Sequence, residues 1–325
     1  MTTPDEGDLM VQIARLHYLE GLTKVEIADR LAISRFKVAR FLELALATGI
    51  VTITIRPPGL TESELSGALV SRFGLAAARV VPGAGATPET LRDRLGQVGA
   101  ALLADVATRT DVLGFDSGRT VTHIADYLTA LPPCDVVQLS GLAGSVRNTG
   151  LDILRRVTEI SGGTVHPLYA PMLAPDPTSA AALRREPVIA RTIEQYDHVT
   201  IAVVSVGSWN PPLSQVYDRL TPAERRDLLA AGVVAETCAL MFTADGQPVT
   251  RLDDQRLGIS LDALRRVPNV ITVAGGTEKA GAIRALLQAD LIDTLVTDST
   301  VARLLLDPDG EGSGVETVDA ARAPV

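Results

Sequence analysis

Three stretches of this 325-residue chain hold residue types suited to binding anions. The first contains Arg30, Arg35, Lys37 and Arg40. Residues 30–42 carry these four cations and no acid, a local +4 in a chain of net charge −9. Cations grouped on a short segment can meet phosphates and base edges of nucleic acid. The second is Gly114-Phe115-Asp116-Ser117-Gly118-Arg119-Thr120. If it joins a strand to a helix, its backbone N–H groups and its Ser and Thr hydroxyls form a ready anion site. Gly118 would allow close approach, and Arg119 would add charge. The third runs Val273-Ala274-Gly275-Gly276-Thr277-Glu278-Lys279, again through a Gly turn. It puts Lys279 in a first helical turn, where a cation opposes the dipole and an anionic ligand would explain it. Asp298 follows Leu295-Val296-Thr297, at the C-terminal edge of an expected strand.

Each stretch also has a plainer reading. The cations could be the solvated face of a docking bundle. The Gly and Ser residues could serve only the turn. Lys279 could pair with Glu278 or Glu236. Catalysis finds less support. His17, His123, His166 and His198 are scattered, and no G-x-S-x-G elbow, H-E-x-x-H or full Walker A occurs. No His/Cys/Asp cluster has metal-ligand spacing, and no cofactor is implied. Cys134 and Cys238 are the only cysteines and form no C-x-x-C pair, which fits a reducing cytosol.

These groups need elements to hold them. Three helical patterns fill the first 50 residues. The first spans about residues 8–20 and ends at Gly21. The second opens at Thr23, whose spacing to Glu26 is that of a capping box. The third opens at Ser34, a good N-cap, and closes at Gly49. Ala28 permits close helix approach, and Ile33 and Val38 plug the angle between helices two and three. That is the pattern of a helix-turn-helix. Its recognition surface would be Ser34, Arg35, Phe36, Lys37, Ala39 and Arg40. Residues 50–55, alternating apolar and Thr, read as a strand. Arg56-Pro57-Pro58-Gly59 breaks regular structure, and a connecting helix is expected at 61–73.

Beyond residue 76 short apolar strands alternate with helices. Strands are expected at 79–82, 111–115, 135–140, 163–168, 198–206, 270–274 and 293–297. Helices are expected at 88–107, 119–131, 150–161, 213–231 and 277–289. This order implies a mainly parallel sheet covered on both faces. Residues 233–250 read as a β-hairpin with a turn at Asp245-Gly246. The fold class is therefore an N-terminal all-α helix-turn-helix domain plus a C-terminal α/β domain. The expected divisions are 1–56 for DNA binding, 57–75 as linker and oligomerisation segment, 76–306 as effector domain, and 307–325 as flexible tail.

The bulk numbers agree. Hydrophobic residues make up 46% and aromatics only 3%, so Ala, Val, Leu and Ile must fill a large core. Mean hydropathy is +0.21 and the pI about 5.0. An acidic chain does not coat nucleic acid over its whole surface, but it can carry a local DNA-reading element. No run approaches the length of a membrane span, and the acidic start MTTPDEGDLM lacks the features of a secretory signal.

The first block resembles the N-terminal domain of SorC/DeoR-type sugar-responsive regulators, the SorC family. The matching residues are Ile27-Ala28, Leu31, Ser34-Arg35, Val38, Arg40 and Gly49-Ile50-Val51. The rest resembles the family's sugar-binding domain, in the loop Ser117–Thr120, in Val137-Gln138-Leu139-Ser140-Gly141, Asn148, Ala170-Pro171, Val206-Gly207-Ser208, Asp245-Gly246 and Arg256-Leu257-Gly258-Ile259. The resemblance covers roughly residues 10–306. It implies a fold like that of ribose-5-phosphate isomerase and the CoA transferases. It also implies an effector phosphate on Ser117, Gly118, Arg119 and Thr120, with a second anionic contact from Lys279. Gln138, Gly207, Ser208, Glu236 and Asp298 would line the remaining pocket. Arg119 and the pair Ala235-Glu236 depart from the family pattern.

The expected protein is a cytoplasmic homo-dimer or tetramer, not an enzyme. It would repress carbohydrate or polyol catabolism by binding operator DNA, under control of a phosphorylated sugar or polyol. The competing expectations are a sugar-phosphate isomerase-like enzyme and an effector-independent DNA-binding scaffold.

Overall fold

The computed structural model describes residues 6–51, 62–142 and 150–307. The chain forms two compact units, residues 1–59 and 60–325.

In the first unit, α1 (Glu6–Tyr18), α2 (Lys24–Leu31) and α3 (Arg35–Ala47) share one small core. Met10, Ile13, Ala14 and Leu16 meet Ile27 and Ala28 from α2, and Val38, Phe41, Leu42 and Ala45 from α3. Thr23 and Glu26 form the capping box, with Glu26 N–H donating to Thr23 Oγ1 at 3.3 Å and Thr23 N–H to Glu26 Oε2 at 2.8 Å. Gly21 and Gly49 both take positive φ at the ends of α1 and α3, as chain reversal without a Cβ allows. The tight turn between α2 and α3 instead uses Ala32, at φ 54. Residues 52–61, holding most of the expected 50–55 strand and the Pro-Pro-Gly break, lie outside the described residues. So do residues 308–325, most of the expected tail.

The second unit opens with α4 (Glu62–Phe73), β1 (Ala77–Val81), α5 (Pro88–Val106), β2 (Val112–Phe115), α6 (Arg119–Tyr127) and β3 (Asp135–Gln138). There follow α7 (Gly150–Ser161), β4 (Val165–His166), α8 (Pro177–Arg185), α9 (Pro187–Glu194) and β5 (Ile201–Val204). A second sheet holds β6 (Gly207–Trp209), β7 (Pro212–Leu213), β8 (Val233–Thr237), β9 (Leu240–Thr243) and β10 (Pro248–Val249). The helices α10 (Gln215–Arg219) and α11 (Pro222–Ala230) lie between β7 and β8 in sequence. The chain then runs through α12 (Leu261–Arg265), β11 (Asn269–Val273), α13 (Ala280–Gln288), β12 (Thr294–Asp298) and α14 (Ser299–Leu306).

The main sheet has seven strands in the order β1-β12-β11-β5-β2-β3-β4, and its pairings are all parallel. Each of the seven expected strands contributes to it. Alternation along β5 divides two cores. Ile201 and Val203 join Leu95, Leu103, Val121 and Ile124 on the face covered by α5 and α6. Ala202 and Val204 join Leu65, Leu69, Ile283 and Leu286 on the other. Helix α4 thus commits Leu65 and Leu69 to this unit's own core.

Two expectations need correction. Residues 213–231 are not one helix: Leu213 belongs to β7, and the helix breaks before Thr221, which caps α11 with Pro222 in its first turn. Strand 198–206 is shorter, because a turn after Val204 carries the chain into the second sheet at Gly207. The expected hairpin is real but is part of a three-stranded meander. Its second turn contains Gly246 at φ 80, and its first uses Cys238 and Ala239 at φ 49 and 60.

Candidate effector site and nucleic-acid interface

From β2 the strand order moves outward through β3 to β4, whereas β5 returns to the opposite side of β2. The connections after β2 and β5 therefore leave in opposite directions, which makes this edge the topological switch point where open α/β sheets bind ligands. Asp116 follows β2 there and is buried. It accepts from Ser140 Oγ at 2.6 Å and Ser205 Oγ at 2.8 Å, which ties the ends of three strands together. Gly118 is required beside it, because a Cβ would overlap Ser205 Oγ.

Ser117 is held from both sides. Its N–H donates to Ser140 Oγ and its hydroxyl to Ser140 O, both at 3.2 Å. Gln138 is fully buried. It donates to Ser140 O at 2.8 Å and accepts Leu168 N–H at 3.0 Å, so it braces the loops rather than standing free. Gln215 from α10 reaches back to Ser117 O at 3.1 Å. Helix α6 then starts at Gly118 with no side-chain cap. An open helix start leaves N–H donors for an anion.

A second open helix start approaches from β11. Gly276, at φ 96, precedes the single 3-10 turn Thr277–Lys279, also without a side-chain cap. Asp298 fixes this turn from behind. It is buried, accepts Gly276 N–H at 2.8 Å, and caps α14 through Thr300 N–H at 2.9 Å and Val301 N–H at 3.1 Å. Its oxygens hold backbone, so its role here is positioning. Ser208 Oγ donates to Glu278 O at 3.1 Å, linking the same turn to the second sheet. Gly207 pairs with Glu236 across β6 and β8, and a Cβ on it would overlap the Glu236 carboxylate.

The charged groups converge. Burial pushes the half-buried Lys279 down to about 8, and the neighbouring positive charge of Arg119 acts the same way, while Glu236 opposes the fall. Arg92, from the first turns of α5, adds to the push. Among the described residues no carboxylate oxygen lies within 4 Å of Arg92, Arg119 or Lys279 nitrogens. Burial pushes Glu236 up to about 7, helped by Asp116 and opposed by hydrogen bonds from Ser214 and Ala239 and by Lys279. Ser214 Oγ donates to Glu236 at 3.0 Å.

Ser117, Gly118, Arg119, Thr120, Gly207, Ser208, Glu236 and Lys279 are thus brought to one edge of the sheet. Gln138 and Asp298 stand behind them. Sequence reasoning did not single out Asp116, Ser140, Ser205, Ser214, Gln215 or Arg92 as site residues. Only Asp116 had a local signal, as a carboxylate directly after a strand.

In the first unit Ser34 Oγ accepts Lys37 N–H at 3.2 Å and starts α3. Ser34, Arg35, Phe36, Lys37 and Arg40 are exposed on its first turns, and Ala39 is half-buried. Arg30 pairs with Glu20 at 3.5 Å. No such pair occupies Arg35, Lys37 or Arg40 among the described residues. The exposed basic start of a capped helix is a surface that duplex DNA can accept.

Residues 59–307 match the family described as "Putative sugar-binding domain". The chain is 30% identical over 308 residues to the transcriptional regulator LsrR of Enterobacter sp. (strain 638), covering 93% of each. It is 28% identical over 312 residues to the uncharacterized transcriptional regulator YjhU of Escherichia coli (strain K12), covering 92% of this chain and 94% of that one. Among solved structures it is similar to the full-length sorbitol operon regulator SorC from Klebsiella pneumoniae. That match has a TM-score of 0.72 at 26% identity and covers 94% of this chain and 100% of that one. A probable sor operon regulator from Shigella flexneri gives a TM-score of 0.69 at 26% identity, over 75% of this chain and 99% of that one. The sugar-binding family match over residues 59–307, with relatives and a solved regulator matched along nearly the whole length, places this chain in the SorC family of transcriptional regulators with a sugar-binding domain.

Proposed function

We propose that the protein is a cytoplasmic repressor of carbohydrate or polyol catabolism. Its first unit, about residues 1–56, binds operator DNA through α3. Its α/β unit, from about residue 76, binds a phosphorylated sugar or polyol that changes operator affinity. The observation that carries this reading is the meeting of two uncapped helix starts with Arg119 and Lys279 at the switch point of the sheet. A phosphate is the ligand that such a group of donors and cations best accommodates. Gly118, Arg119 and Thr120 at the open start of α6 would hold it, Ser117, whose own donors are spent on Ser140, would shape the loop, and Lys279 would add a charged contact. Glu236 and Ser208 would face the hydroxyl groups, with Gln138, Gly207 and Asp298 fixing the walls. The protein works as a homo-dimer or tetramer, since operator half-sites are read by symmetric pairs.

The test is calorimetric titration with matched phosphorylated and free sugars and polyols. Phosphorylated ligands should bind more tightly, and removing Lys279 should cost about 1.5–3 kcal/mol. A Thr120→Ala, Lys279→Ala variant should bind operator and ignore the ligand, because a ligand shifts states only through differential affinity. Equal affinity for both ligand classes, or an unchanged response of the variant, refutes the phosphate site. A monomer in light scattering, with and without DNA, refutes the assembly.

One observation favours a second reading, that of an enzyme. Glu236 near 7 beside Lys279 near 8 has the proton affinities of an acid–base pair. Product formation from sugar phosphates would establish it. The helix-turn-helix attached to the same chain favours sensing.

A further inference from the structure

We propose that Phe36 reads the C5-methyl group of a thymine in the DNA major groove; the inference rests on the DNA-binding reading above. Helix α3 turns Val38, Phe41, Leu42 and Ala45 into the core of its unit. At 3.6 residues per turn, Phe36 and Arg40 then project from the opposite face. Phe36 is 73% exposed although it is fully apolar. It occupies the second position of the helix, one residue from the Ser34 cap region where α3 presents its unpaired cations. The Arg35 guanidinium lies 5.0 Å from the centre of its ring, which holds an aromatic group and a charge side by side. Lys37 instead leans over Phe41, its ammonium 5.6 Å from that ring.

Glu43 lies on the same outward face two turns after Phe36 and is exposed. Its carboxylate repels phosphate, so close DNA contact is confined to the first turns, around Phe36 and Arg40. A phenyl ring neither donates nor accepts a conventional hydrogen bond. Of the base edges in the major groove, only thymine presents an apolar group, its methyl. The cations hold the helix on the backbone irrespective of sequence, and Phe36 adds discrimination at one base pair.

The full-length protein is used to select duplexes from a random-sequence library. An enriched duplex is then resynthesised with single thymines replaced by deoxyuridine, which removes the methyl and leaves the pairing edge intact. Anisotropy titrations compare the protein with Phe36→Ala, whose folding is checked by circular dichroism. One thymine, or one in each half-site, should weaken binding about fourfold when replaced, the value of one buried methyl group. Phe36→Ala should bind the parent duplex more weakly and lose sensitivity to that replacement. Undiminished sensitivity in Phe36→Ala, or no sensitive thymine in the unaltered protein, overturns the proposal. Loss of self-association in Phe36→Ala with thymine sensitivity retained overturns it in favour of a protein contact. Failure to enrich any duplex refutes the DNA-binding reading itself.

Discussion

Replacing Glu236 by Gln should flatten the pH dependence of the α/β unit's stability. Burial and Asp116 raise the Glu236 carboxyl from 4.5 to about 7. A folded-state value above the unfolded one means that the folded chain binds the proton more tightly. The group's contribution is therefore most favourable at low pH, declines as pH rises through 4.5, and levels off above 7. The full gap is worth about 3 kcal/mol at 1.36 kcal/mol per pH unit. Between pH 5 and pH 8 the same linkage leaves roughly 2–3 kcal/mol. Gln keeps the shape and can still accept the Ser214 hydroxyl, but places no charge near Asp116. Trp209, the only tryptophan, is buried in β6 and reports unfolding of this unit. Urea titrations of the ligand-free protein and of Glu236→Gln at pH 5, 6, 7 and 8 supply the comparison. The variant's advantage should grow by roughly 2–3 kcal/mol from the first pH to the last. The scan stops at pH 8 because Lys279, lowered from 10.5 to about 8, acts in the opposite sense above it, where stability rises with pH. A difference that stays constant across the scan would refute the assignment of a raised carboxyl to Glu236.

Ser34→Ala removes the cap on α3 and should lower the stability of the first unit by about 1 kcal/mol, read from helical ellipticity on heating. Gly118→Ala would drive a methyl group into Ser205 Oγ; it should abolish ligand-induced thermal shifts while operator binding persists, and Ser205→Gly should restore part of the response. The combined Arg35→Ala, Lys37→Ala, Arg40→Ala variant should bind operator more weakly. Its salt dependence, measured by anisotropy at several salt concentrations, should flatten by about 0.9 in logarithmic slope for each DNA phosphate that the variant leaves unneutralised.

Residue types alone settled whatever a short stretch of chain can decide. Thr23 with Glu26 and Ser34 with Lys37 form their caps within four residues, so the starts of α2 and α3 were legible without any tertiary information. The inner parallel strands were legible because each is a brief apolar run between helices, as burial on both faces demands, whereas the edge strands β1 and β4 are partly exposed. The loop Ser117–Thr120 was legible because a Gly in a strand-to-helix turn marks close backbone approach. Strand order was not legible, since apolar periodicity says that a strand is buried and not which neighbour it takes: β1 pairs with β12 from the far end of the chain. The Cys238-Ala239 turn escaped notice because it adopts positive φ without the Gly or Asn that signals such a turn. Long-range packing gave Asp116 its partners, Ser140 and Ser205, 24 and 89 residues away. It also set Glu236 between Ser214 and Asp116, and brought Arg119 close to Lys279. The physical reason is that a charge takes its proton affinity from the field and burial around it, and those come from residues that only the packed sheet brings together.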